Sequence, residues 1–226
     1  MFLLIILFTF GISLWASWRV KHMVHKYSQV PASSGYTGAE TAAHILRAAG
    51  IGDVAIQEAN GFLGDHYDPL HKTLVLSSEN YHGTSTAALG ISAHECGHAL
   101  QHKAAYAPLQ WRMAAVSTTN FANQIVMWLP LIGMFTGLIH LRTALLIMTC
   151  AWGVIMLFNL ITLPVEFDAS NRAKVILGKM GFIRGPGETA AVNKVLNAAA
   201  LTYVAAFLTS LAYFLWNLLR LMGDRR

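Results

Sequence analysis

The chain has 226 residues, 55% of them hydrophobic and 12% charged, with a mean hydropathy of +0.47. At roughly 150 residues per domain the length allows one or two domains, but so apolar a balance excludes an ordinary soluble domain and belongs to a membrane protein. The net charge of +5 comes from 16 Lys and Arg placed singly, without a basic block or interleaved aromatics, which argues against nucleic acid and for the headgroups of a lipid bilayer.

Met1 to Trp18 is almost wholly apolar, and Arg19, Lys21, His22, His25 and Lys26 follow it. A secretory signal needs a positive stretch before its apolar core and a small-residue cleavage site after it, and neither is convincing here. Residues 1–18 are therefore expected to be an uncleaved membrane anchor, since about 17 apolar residues just cross a bilayer core. Pro31 to Gly38 is rich in turn formers, and Thr37 with Glu40 makes a capping-box pattern ahead of a helix over Ala39 to Ala49, which Gly50 can end. Val54 to Glu58 and Thr73 to Ser77 read as a small strand pair around the loop Gly61 to His71, and Thr84 or Ser85 to about His102 is helical again.

Past Pro108 two long apolar runs, Phe121 to Ile139 and Ala144 to Leu163, are separated only by His140, Leu141, Arg142 and Thr143, which predicts a transmembrane hairpin over 114–163. Residues 164–197 are polar, and 198–226 carry a fourth apolar run, Ala198 to Leu219, and a tail. The expected fold class is mainly α: an integral, multi-pass membrane protein with about four transmembrane helices and a small α+β portion in 19–113. Four spans put 19–113 and 164–197 on one face. Twelve of the 16 Lys and Arg lie there, against Arg142, Arg220, Arg225 and Arg226 on the other. Leaving out Arg47 and Lys72, far from any span, keeps the asymmetry, so the larger segments are expected on the cytoplasmic face of the cell membrane.

Chemistry concentrates in His94-Glu95-Cys96-Gly97-His98. Histidines at i and i+4 share one helix face and can offer two imidazole nitrogens to one Zn²⁺, while the intervening Glu95 can act as general base on a zinc-activated water attacking a peptide carbonyl. A polar surface helix with no metal is the plainer alternative. A catalytic zinc wants a third protein ligand and an open position. Downstream of His98 the chain offers His102, His140, Glu166, Asp168, Glu188 and Asp224. The topology sends His140 and Asp224 to the far face, and Glu188 looks like a first-turn carboxylate favoured by the helix dipole. His102 is turned somewhat off the zinc face. Glu166 is the best candidate, because two crossings return the chain to the face that carries His94 and His98.

Leu163 to Ser170 and the His94–His98 motif together resemble the bacterial membrane-bound neutral zinc metallopeptidases, and more distantly the membrane proteases that trim prenylated peptides and their heat-shock relatives. The first resemblance covers essentially the whole chain, including Asp65 to Pro69, Tyr81-His82-Gly83 and Val195 to Tyr203. It implies a zincin-like, gluzincin-type fold, an endopeptidase activity on a peptide or protein substrate, and Zn²⁺ held by His94, His98 and Glu166 with Glu95 as base. The distant relatives carry an Asp four residues after the ligand Glu, where this chain has Ser170. Asp168 and Ser170 are both candidates to orient the ligand histidines. His66, Tyr67 and His82 are candidates to stabilise charge on the substrate or contact it.

Cys96 reads as a small packing residue, and its placement apart from Cys150 gives no disulfide framework. A non-catalytic zinc-binding membrane scaffold or quality-control adaptor is the competing function. An intact Glu95 argues against it.

Overall fold

The structure, a computed structural model, describes residues 2–59, 64–137 and 139–223. Met1 of the expected anchor, residues 61–63 of the expected loop, Leu138 of the expected hairpin, and Asp224, Arg225 and Arg226 of the tail lie outside the described residues, as does Asn60. In chain order the elements are α1 (Phe2–Ser28), α2 (Gly38–Ala48), β1 (Ala55–Ala59), β2 (His66–Asp68), β3 (Thr73–Ser77), α3 (Ser78–His82), α4 (Thr86–Lys103), α5 (Ala107–Thr136), α6 (Leu141–Lys179) and α7 (Gly185–Gly223). The expected mainly α class with a small α+β portion is what the chain adopts.

Local chemistry accounts for several boundaries. The Thr37 hydroxyl accepts from the Glu40 N–H at 3.1 Å and the Glu40 carboxylate accepts from the Thr37 N–H at 2.8 Å, so both halves of the capping box form at the start of α2. Ser85 caps α4 by accepting from Ala88 N–H at 3.1 Å. Pro164 does not break α6, which runs from the apolar stretch straight into the polar one; similarly α7 begins in polar sequence and continues into the last apolar run. A proline inside a membrane helix is tolerated where neighbouring helices and Ser/Thr hydroxyls satisfy the freed backbone.

Two expectations are corrected. Among the described residues three helices, α1, α6 and α7, are long and apolar enough to cross a membrane, not about four. The shortfall is α5, where Asn120, Asn123 and Gln124 at the start of the expected span and Pro130 within it dilute the apolar run. It still packs along α6, with Ala122 buried against Ala151 and Ile155. The second correction is to the sheet. It has three strands in the order β1-β3-β2, because residues 66–68 of the expected loop pair antiparallel with β3 while β1 pairs parallel to it. Thr73–Ser77 is thus the central strand, and the outer side of β2 is a free edge among the described strands.

The helices and sheet form two regions. In the stem, α7 lies between α1 and α6, and α5 flanks α6. In the head, Ile45 and Leu46 of α2, Leu74 and Leu76 of β3, Leu89 and Cys96 of α4, Leu177 of α6 and Leu196 of α7 share one core. A smaller cluster of Val24, Tyr27, Ala87, Ala191 and Val195 ties the end of α1 to α4 and α7. Each fully buried Leu or Ile contributes about 1.5–3 kcal/mol, so this shared core, joining elements distant in sequence, holds α4 against α6 and α7.

Candidate metal centre

Helix α4 is buried on most sides despite its polar residues, with Glu95, His98 and Gln101 inside along with Leu89, Ala93 and Cys96. Helical spacing sets the His94 and His98 rings edge to face, 4.8 Å between centroids. Gly97 lets α6 come close: a Cβ there would lie 2.7 Å from Ala169 O and 3.0 Å from its Cα. That approach brings Glu166 and Ser170, one on either side of Ala169, onto the histidine face.

Glu166 is 2% exposed, and its two oxygens have different surroundings. Oε1 accepts from Arg112 Nη1 at 2.7 Å. Oε2 has no hydrogen-bond partner and lies 3.3 Å from His94 Nε2 and 3.7 Å from His98 Nε2. One donor atom from each of His94, His98 and Glu166 falls within 4.8 Å of the others. A buried carboxylate oxygen left without a hydrogen bond is costly, and one converging with two imidazole nitrogens is the donor set that a zinc ion satisfies. The residues fit the metal.

The far sides of both rings are held. Ser170 Oγ is 3.2 Å from His94 Nδ1, so the serine that replaces the distant relatives' Asp still touches the ligand ring. Asp168 acts at one remove. Gln101 Nε2 donates to Asp168 Oδ2 and to Val165 O, both at 2.8 Å, which leaves Gln101 Oε1 as acceptor toward His98 Nδ1 at 3.0 Å. His98 then carries its proton on Nδ1 and presents the Nε2 lone pair to the cluster. Arg172 Nε donates to Asp168 at 2.6 Å and so anchors the chain of contacts. Burial works against a charged imidazole at His98, yet the Glu166 and Glu95 carboxylates outweigh it and hold the group above its ordinary value; the site attracts positive charge.

Beside the cluster lies a cleft of about 210 Å³ lined by Glu95, His98, Glu166, Arg112 and Tyr203 on one side and by Asp65, His66, Tyr67 and Pro69 on the other. The sequence-predicted residues therefore divide clearly. His94, Glu95, His98 and Glu166 come together, Ser170 and Asp168 support them, and His66 and Tyr67 face the same cleft. Asp65 is occupied with the turn into α3, accepting from Ser77 N–H and Asn80 Nδ2 at 2.8 and 2.9 Å. His82 is not brought to the site; it is exposed on α3 and pairs with Glu58 at 3.2 Å. Cys96 packs in the core, where burial raises its thiol, and it forms no disulfide.

Comparison with known proteins agrees with this geometry. Residues 2–222 match the family described as "Putative neutral zinc metallopeptidase". The chain belongs to that family. It is also 46% identical over 211 residues to the "Putative membrane protease YugP" of Bacillus subtilis (strain 168), covering 93% of this chain and 92% of that protein. No solved structure matches the chain. This metallopeptidase family member thus combines a zinc-type donor set with three apolar helices of membrane-spanning length.

Several site residues escape sequence reasoning, among them Tyr203 on the cleft and Arg172 beside Asp168, and two touch the proposed ligands directly. Gln101 stands three residues after His98, on the same helix face, a spacing that could have marked it. Arg112 carries no local signal, since only the folding of α5 beside α6 brings it to Glu166.

Proposed function

We propose that the chain is a zinc-dependent endopeptidase of the cell membrane that hydrolyses peptide bonds in extended peptide or protein segments at the cytoplasmic membrane surface. The observation that carries this reading is the convergence of the two histidine Nε2 atoms and the unpartnered Glu166 Oε2 beside a cleft lined by Glu95, His98 and Glu166. Bound by these three side chains, zinc would supply a Lewis acid that activates water and polarises the scissile carbonyl. Glu95 stands in the same cleft, 8% exposed, and takes the proton of the attacking water and returns it to the leaving amine. The free edge of β2, which borders the cleft at His66 and Tyr67, offers backbone groups along which an extended substrate can lie. The excess of Lys and Arg on the segments that carry the head supports the cytoplasmic orientation.

The test is to purify the full chain in detergent, measure bound metal, and follow cleavage of casein by wild type, Glu95→Gln and Glu166→Gln. Wild type should hold zinc stoichiometrically and cleave. Glu95→Gln should keep the metal and lose at least about 100-fold in rate, in line with the contribution of general base catalysis. Glu166→Gln should lose zinc occupancy. Stoichiometric zinc without cleavage of any of several unfolded substrates would point instead to a scaffold.

A further inference from the structure

We propose that Arg112 is a positioning residue that ties up one oxygen of Glu166, so that the carboxylate gives a metal at His94 and His98 a single ligand and leaves a coordination position open. The inference rests on the zinc reading above and adds a residue to it. Its basis is the asymmetry of the carboxylate. Arg112 Nη1 donates to Oε1 at 2.7 Å, whereas Oε2 is buried, lacks any hydrogen bond and faces both histidine Nε2 atoms. An arginine needed only to neutralise a buried carboxylate commonly grips both oxygens with its planar fork. Here the fork takes one oxygen and spares the other.

The placement of Arg112 supports the same role. It stands on α5, a different helix from every proposed ligand, and lines the cleft with Glu95 and Glu166 rather than lying behind the ligands as Gln101 and Ser170 do. A carboxylate with two free oxygens can chelate a metal and fill the position that a catalytic site must keep for water or substrate. With Oε1 held by Arg112, Glu166 cannot swing into that arrangement without breaking a charge-assisted hydrogen bond to a half-buried arginine.

The experiment uses the full chain in detergent, loaded with cobalt(II) in place of zinc, whose visible absorption is strong in four-coordinate sites and weakens as coordination rises. Zinc affinity is measured in parallel by competition with a chelator, and circular dichroism monitors folding. Arg112→Met and Arg112→Gln should bind cobalt with a weakened band and show kcat lowered on the order of 10- to 100-fold, with a smaller change in KM. Arg112→Lys, which keeps the charge and one donor, should recover part of both the band and the rate. If Arg112→Met does not fold, Arg112→Gln carries the same comparison. A rate loss with an unchanged cobalt band would assign Arg112 to charge neutralisation alone and overturn the proposal, as would variants identical to wild type. A wild type that binds neither cobalt nor zinc would overturn the peptidase reading and this proposal with it, and that result is distinct from a metal-loaded wild type with indifferent variants.

Discussion

Head and stem bury different sets of side chains, and α6 runs through both. In its first half the large apolar side chains Leu146, Leu157 and Leu160 are exposed while Thr149, Ala151 and Thr162 are buried. In its second half Phe167 and Val175 stay exposed, while Leu177 joins Leu74, Leu76, Leu89 and Leu196 in the head core. Lipid is as apolar as leucine, so a stem helix gains nothing by hiding large side chains and meets its neighbours through small ones. The head meets water, and the hydrophobic effect draws the same residue types inward. The third proposed ligand, Glu166, sits just past Pro164, between the apolar stretch of α6 and the part that joins the head core.

The sharpest way to break that comparison is to make one substitution in both regions. Leu177→Ala, at a fully buried head position, should cost about 2–5 kcal/mol and markedly lower the thermal midpoint in detergent. Leu157→Ala, at a position 53% exposed in the stem, should change that midpoint little, within roughly 0.5 kcal/mol as for surface substitutions generally. Equal losses at the two positions would mean that the stem face of α6 is covered by protein rather than lipid.

A smaller effect is expected from Gln101→Leu, which keeps the volume but removes the amide that links His98 to Asp168 and Val165. Zinc affinity, followed by chelator competition, should fall on the order of 10- to 100-fold. Unchanged affinity would show that the His98 ring is held by packing alone, making the head's polar contacts no more specific than the stem's.

What sequence could reveal follows the same division. The stem is legible because its rule is compositional: α1, α6 and α7 announce themselves as apolar runs, and α5 misleads because Asn120, Asn123 and Gln124 stand beside a run that otherwise looks long enough. In the head, features whose physics is local were legible, among them the Thr37–Glu40 box and the His94–His98 spacing. Glu166 was singled out by an expected two crossings, and although α5 falls short of a membrane-spanning run, the fold does bring the residue to the two histidines. β2 was not, since three residues have no periodicity and His66–Asp68 become a strand only by pairing with β3. Arg112 and Gln101 owe their roles to contacts across α4, α5 and α6. For the same reason Thr73–Ser77, expected as one of a strand pair, is the central strand of three.

Gly97 shows how a residue inside a recognised motif can carry a meaning the motif does not state. By helix propensity alone Gly97→Ala should stabilise α4 by up to about 1 kcal/mol. The added methyl, however, would stand 2.7 Å from Ala169 O, a backbone atom on another helix that cannot rotate away, so α4 and α6 must separate locally. Overpacking of this kind costs about 1–3 kcal/mol, which exceeds the propensity gain and predicts a net loss on the order of 1 kcal/mol in the thermal midpoint comparison with Leu157→Ala. The shift also moves Glu166 and Ser170 away from His94 and His98, so zinc affinity should fall with it. A Gly97→Ala protein as stable as wild type, with unchanged zinc affinity, would mean that α4 and α6 are not pressed together at the motif and that the head's close packing begins farther from the site.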